Sequence, residues 1–161
     1  MKKIAVYPGT FDPVTNGHLD IVERATQYFE EVIWAVAEQN NKTTLFTMQE
    51  RIDLIKDIAK HLPNVKVVGF DGLLVDFCQR SQAGVVIRGL RAMSDFEKEF
   101  QMALMNKEMN QQVETMFLMT AANYQFVSSS IIKNVASMGG QISRLVPPIV
   151  EEALQKKYGY K

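Results

Sequence analysis

The chain has 161 residues, with 18 Lys and Arg against 18 Asp and Glu, 47% hydrophobic residues and one cysteine. That length corresponds to a single domain with a core of its own, and the composition excludes disordered and collagen-like chains. A formal net charge of zero argues against a general nucleic-acid binder, which carries a basic surplus, while leaving room for a small anionic ligand.

Cys78 stands alone, so neither an intrachain disulfide nor a Cys-rich zinc site is expected, in keeping with a reducing compartment. No apolar run approaches the ~20 residues of a membrane helix. The apolar stretch Ile4-Ala5-Val6-Tyr7 is too short for a signal-peptide core. The expectation is a soluble, cytoplasmic protein forming one domain over residues 1–161.

In chain order, Ile4–Tyr7 reads as a first strand, and His18 to Phe29 as a helix with Leu19, Val22, Ala25, Tyr28 and Phe29 on its apolar stripe. Val32–Ala37 is the second strand. Thr47-Met48-Gln49-Glu50 is a capping box opening a helix with Ile52, Ile55, Ile58 and Ala59 inward. Pro63-Asn64 stops that helix before a third strand, Val65–Phe70. A shorter helix over Leu73–Gln82 leads to a fourth strand, Val85–Ile87. Ser94-Asp95-Phe96-Glu97 reads as a second capping box, leading a helix that carries Phe96, Phe100, Ala103, Leu104 and Met109, with Met102, Met105 and Met109 as a packing stripe. Met116–Met119 is the fifth strand, Ser129–Met138 a helix ending at Gly139-Gly140, and Pro147-Pro148 starts the last helix. Strands and helices alternating in this way predict an α/β fold: a doubly wound, five-stranded parallel sheet with helices on both faces. Such sheets bind ligands at the carboxyl ends of their strands.

Four segments fall at those ends. Tyr7-Pro8-Gly9-Thr10-Phe11-Asp12-Pro13-Val14-Thr15-Asn16-Gly17-His18 combines a shaped loop, a hydroxyl and a histidine in the first helical turn. Free N–H groups and the positive dipole end there favour phosphate and disfavour protonation of His18. The same residues also fit an ordinary turn before a helix-start histidine. The loop is neither G-x-G-x-x-G nor a P-loop. Arg88-Gly89-Leu90-Arg91 offers guanidinium groups for bidentate phosphate contacts, or an arginine pair held by Asp95 or Glu97. Lys42 lies in the loop after the second strand, where a lysine is equally a surface residue. Ser128-Ser129-Ser130, with Lys133 one turn on, forms either a second phosphate cradle or an ordinary N-cap. His61 reads as structural and Cys78 as core. No His, Asp or Glu set has metal-ligand spacing, so no protein-held metal is expected and any metal would arrive with phosphates. Cationic and hydroxyl groups without a nucleophile–base dyad point to phosphoryl or nucleotidyl transfer by positioning and charge stabilisation.

Gly9-Thr10-Phe11-Asp12-Pro13 followed by Thr15-x-Gly17-His18 resembles the signature of the nucleotidyltransferase superfamily with the His/Thr-x-Gly-His motif. With Lys42, Arg88-Gly89-Leu90-Arg91 and the serine triplet, the chain resembles the phosphopantetheine adenylyltransferase family from residue 1 to about residue 150. The resemblance implies a Rossmann-like nucleotidyltransferase fold and transfer of the adenylyl group of ATP to 4′-phosphopantetheine, giving dephospho-coenzyme A and pyrophosphate. It implies that Thr10 and His18 contact the α-phosphate, with Lys42 and Arg88 completing the catalytic set. Lys42 and Arg88 would hold the acceptor's phosphate together with Thr10, and Leu74 would line the pantetheine channel. ATP would be held by Thr10, Phe11, Gly17, His18, Gly89, Leu90, Arg91, Glu99, Tyr124, Gln125, Phe126, Val127, Ser128, Ser129 and Ser130. Mg²⁺ with the nucleotide and a homohexamer are implied as well. Two positions depart from the family pattern: Val127 replaces a common isoleucine, and Lys133 stands where arginine is frequent, which leaves its phosphate role open. A transferase of the same superfamily with another acceptor, and a nucleotide-binding module without catalysis, are the competing readings.

Overall fold

The computed structural model describes residues 3–38 and 43–160. Five strands, β1 (Ile4–Gly9), β2 (Glu31–Ala37), β3 (Val65–Phe70), β4 (Val85–Leu90) and β5 (Glu114–Met119), alternate with helices α1 (Asn16–Ala25), α2 (Met48–Ile58), α3 (Leu74–Arg80) and α4 (Met93–Met109). A 3₁₀ turn at Ala122–Tyr124 and helices α5 (Ser129–Ser137) and α6 (Pro148–Tyr158) follow. All pairings are parallel, in the order β3-β2-β1-β4-β5. The chain therefore winds outward from β1 in one direction, returns, and winds outward in the other. The reversal lies between β1 and β4, and the ligand crevice of a doubly wound sheet opens there.

Near-continuous apolar strands are what burial on both faces requires. One face packs Tyr7, Trp34, Val36 and Ile87 against residues such as Ile21, Ile55, Ile132 and Leu154 from α1, α2, α5 and α6. The other is smaller, with Val6, Ile33, Ala35 and Val86 against Phe77 and Cys78 of α3. Cys78 is fully buried, as its reading as a core residue requires. Thr47 caps α2 reciprocally with Glu50, as the sequence predicts.

Several boundaries differ from the sequence reading. Helix α1 stops at Ala25, not Phe29; the Thr26 hydroxyl donates to the carbonyl of Glu23, and Tyr28 faces out. Strand β4 runs on to Leu90, so Arg88 and Gly89 lie on the strand and only Arg91 follows it. The Ser94 capping box does not form: α4 starts at Met93 with Ala92 in the cap position and no side-chain cap. Asp95 instead takes the Arg91 guanidinium at 3.2 Å.

The largest correction concerns the inward stripe of α4. Phe100, Met102, Leu104, Met105 and Met109 are all 44% exposed or more, and Asn106 is the buried residue of the helix. The apolar periodicity that normally marks a core face here marks an outer one.

Candidate active site

The crevice begins with a parting of strands. The β1–β4 register runs only through Ala5↔Val85 and Val6↔Val86, whereas β1 and β2 stay in register as far as Gly9↔Val36. Pro8 has no N–H to offer a ladder, and its carbonyl accepts a hydrogen bond from Arg88 Nη1 at 2.8 Å. Side chain thus replaces backbone between the two central strands. Beyond that point lies a cavity of about 290 Å³, lined by Thr10, Phe11, Gly17, His18, Arg88, Gly89, Arg91, Glu99, Tyr124, Val127, Ser128 and Ser129, among others. A second cavity of about 450 Å³ shares Arg88, Arg91, Asp95 and Glu99 with the first and reaches Leu74. The two cavities therefore adjoin across these shared side chains.

His18 sits at the third position of α1. Thr15 is the N-cap, and the reciprocal cap closes through the imidazole: Thr15 N–H donates to His18 Nδ1 at 3.0 Å. An amide N–H can only donate, so Nδ1 carries the lone pair and the proton resides on Nε2. The ring stands edge-on to Phe11, 5.0 Å between centroids, and Phe11 in turn packs on Tyr7 and Trp34. Burial first, and then the Arg91 and Arg88 charges, lower the His18 pKa from 6.5 to about 3. The Thr15 contact and the lowered pKa both keep the ring neutral near pH 7.

Phe11 holds this arrangement at a backbone cost. Its φ is +52°, in the left-handed region that non-glycine residues avoid. The ring is 4% exposed, and its packing over-determines the turn. A Cβ at Gly9 would lie 2.8 Å from the Phe11 ring, so only glycine fits beneath it.

The two arginines are held differently. Arg88 makes a bidentate pair with Glu99, Nε–Oε2 at 2.7 Å and Nη2–Oε1 at 2.6 Å. Burial acts to lower the Arg88 pKa, but the hydrogen bonds and charge of Glu99 outweigh it and the net shift is upward. Arg91 donates to the Val127 carbonyl at 3.0 Å and pairs with Asp95, tying the end of β4 to the segment before α5. Tyr7 is buried in the cleft wall, and burial pushes its hydroxyl pKa up, so it stays protonated.

Gly17 is buried against Tyr124, and Ser129 donates to the Pro13 carbonyl at 2.8 Å, while Ser128 caps α5. Leu90, Gln125, Phe126 and Ser130 do not line either cavity; Phe126 and Ser130 are exposed. Lys42 lies outside the described residues. Lys133 pairs with Asp12 at 2.8 Å. Asp12, 4% exposed, also accepts from the Leu45 and Phe46 amides at 2.9 and 2.8 Å. These bonds bind the first loop to residues 45–46 and to α5. The sequence reading gave Asp12 no role; its signal was a carboxylate in an otherwise apolar and turn-forming loop. Thr15, Thr120 and Asp95 also belong to the cleft wall without having been singled out for it. His61, read as structural, contacts Glu23 at 2.8 Å on the surface.

Among the described residues no group of three His, Cys, Asp or Glu could hold a metal ion. The carboxylates at the cleft, Asp95 and Glu99, are each engaged by an arginine. Among the described residues, the arginine and N–H donors that line the cleft suit anionic phosphates.

The cytidylyltransferase-like family matches residues 6–135. A phosphopantetheine adenylyltransferase of Moorella thermoacetica is 56% identical over 158 residues, 98% of this chain and 99% of the relative. One of Desulfitobacterium hafniense is 59% identical over 156 residues, 97% of this chain and 96% of the relative. The chain belongs to the phosphopantetheine adenylyltransferase family. As a phosphopantetheine adenylyltransferase family member it is an enzyme, an adenylyltransferase, and its fold extends to distant relatives. The crystal structure of a Vibrio parahaemolyticus protein provisionally named a nicotinate-nucleotide adenylyltransferase superposes with a TM-score of 0.70 at 21% identity. It covers 96% of this chain and 99% of its own. Nucleotidyltransferases of this kind work with a divalent metal accompanying ATP. No helix among the described residues is long and apolar enough to cross a membrane.

Proposed function

We propose that the chain, as one nucleotidyltransferase domain over residues 1–161, transfers the adenylyl group of ATP to 4′-phosphopantetheine in coenzyme A synthesis. The observation that carries this reading is the divided cleft. One part is lined by His18, the other reaches Leu74, and Arg88 and Arg91 line both. Two phosphorylated molecules can meet there.

An acceptor phosphate oxygen attacks the α-phosphorus of ATP. The new O–Pα bond forms as the Pα–O bond to the β-phosphate breaks, and pyrophosphate leaves with the electron pair. The acceptor is already anionic near neutral pH, so no general base is required. The obstacle is repulsion between phosphates, and the chain lowers it by position and charge. Lys42 and Arg88 hold the acceptor's phosphate, with Thr10 beside it. His18 Nε2 donates to an α-phosphate oxygen whose charge grows in the transition state. Gly17 lets the first turn of α1 approach the phosphates. Arg91, the backbone at Phe11 and Gly89–Leu90, Glu99 and residues Tyr124–Ser130 hold the nucleotide. Glu99 acts in addition through Arg88, which it fixes in the cleft.

Mg²⁺ bound to the triphosphate would shield its charge. Among the described residues no group of three His, Cys, Asp or Glu could hold it. The exposed apolar residues of α4 and the outer strand β5, Met93, Phe100, Met105, Met116 and Met119 among them, support assembly into a homohexamer. A soluble enzyme drawing on ATP is placed in the cytoplasm by this reading. Incubation with ATP, Mg²⁺ and 4′-phosphopantetheine tests it: acceptor-dependent pyrophosphate release is expected, and release only with a different phosphate acceptor would overturn the assignment.

A further inference from the structure

Arg51 is 3% exposed, in the second turn of α2. Burying a guanidinium is costly unless its donors and its charge are matched. Here the matching is incomplete. Nη1 donates to the Thr10 carbonyl at 2.8 Å and to the Ala37 carbonyl at 3.0 Å. Nε is buried without a partner. Asp12 and Glu38 face the guanidinium as charges, but it has no ion pair among the described residues. A Leu or Met would fill the same space beside Ile55 without these costs, so packing of α2 does not account for an arginine.

The two carbonyls account for it. Thr10 follows the end of β1, and Ala37 ends β2. These strands are parallel neighbours, in register up to Gly9↔Val36. Their ladder stops just where the two loops diverge, one toward Thr10 and His18, the other toward Lys42. We propose that Arg51 is a positioning residue, clamping the carbonyl ends of β1 and β2 and so fixing the Thr10 backbone relative to the point where the chain leaves β2 toward Lys42. It touches neither substrate nor reacting atoms and acts through Thr10. The inference rests on the adenylyl-transfer reading of the cleft.

Three variants test it: Arg51→Met, Arg51→Lys and, as a control, Ile55→Val on the same helix. Misplacing a reacting group by about 1 Å costs on the order of 100-fold. Arg51→Met is therefore expected to lower kcat by ~10–100-fold while the ATP Kd stays within about threefold. Nη1 alone bridges the two carbonyls, and a lysine ammonium lies one bond short of that position, so Arg51→Lys is expected to lose ~3–10-fold in kcat with a Tm close to the original. Ile55→Val lowers Tm and leaves kcat unchanged. The proposal is overturned if Arg51→Lys keeps kcat within about twofold, if ATP affinity falls in step with kcat, or if Ile55→Val loses kcat equally. Should Arg51→Met fail to fold, Arg51→Lys decides by the same criteria. Acceptor-dependent pyrophosphate release by the unaltered chain is measured first. If it is absent, the functional reading fails, and the ¹³C shifts of the Thr10 and Ala37 carbonyls in Arg51→Lys judge the clamp separately. Unchanged shifts overturn it.

Discussion

Replacing His18 by alanine separates two roles that one imidazole performs through its two nitrogens. In the proposed mechanism Nε2–H is the donor for the growing charge on the α-phosphate. Removing one preorganised donor of that kind costs ~10²–10³ in turnover, about 2.7–4 kcal/mol. Nδ1 accepts from the Thr15 amide at 3.0 Å and closes the α1 cap. Losing it leaves an orphaned N–H and costs about 1–2 kcal/mol of stability, a fall of about 3–6 °C in Tm for a chain of this size. Glutamine at the third helical position restores a reciprocal cap of the ordinary kind. His18→Gln should therefore recover Tm while turnover stays at least ~10-fold down. Steady-state pyrophosphate release gives turnover, calorimetry the ATP Kd, and a thermal melt the stability. The pKa adds a second readout. The folded value, about 3, lies below the ordinary 6.5, so between these values the unfolded chain binds the extra proton. The contribution of His18 to stability is complete above pH 6.5 and is lost as the pH falls toward 3. Activity should show no acid limb near 6.5 from this group. Turnover of His18→Ala within about fivefold of the original, or collapse of ATP binding itself, would refute the donor role.

Asp12→Asn leaves one of the Leu45 and Phe46 amides without an acceptor and Lys133 without its charge partner; a loss of about 2–4 kcal/mol is expected from urea unfolding, and a change under about 0.5 kcal/mol would contradict the tie. Lys42→Ala should impair turnover or use of the acceptor in steady-state kinetics; an unchanged rate at every acceptor concentration would remove Lys42 from the site. Phe100, 46% exposed on α4, lies away from the cleft lining. Light scattering should give a hexamer for the natural chain and smaller species for Phe100→Glu, and a monomeric natural chain would refute the assembly.

Legibility followed range along the chain. The Thr47–Glu50 cap, the turn chemistry around Gly9 and Pro13, and the short buried strands are local, so propensity and spacing specify them. The α4 stripe misled because periodicity shows that a face is apolar and not what covers it. Ser94 failed as a cap because the helix begins before it, at Met93, with Ala92 in the cap position. Asp12 and Arg51 went unread for one reason: their partners lie 30 or more positions away for Asp12, at Leu45 and Phe46, and 41 for Arg51, at Thr10.

The sequence alone determined the alternation of elements, the parallel sheet and the first-loop motif that carries the family resemblance. The balance of 18 charges against 18 was also fixed there, and with it the expectation of a small anionic ligand over a nucleic acid. Tertiary structure decided what those residues do to one another. Only folding parts β1 from β4 at Pro8, gives Arg88 to Glu99, and sets His18 between a capping amide and an open cleft. Apart from the local Thr15–His18 cap, these are through-space interactions of groups 11 to 80 positions apart in the chain. They arise once the sheet has brought its carboxyl ends together, and no local pattern records them.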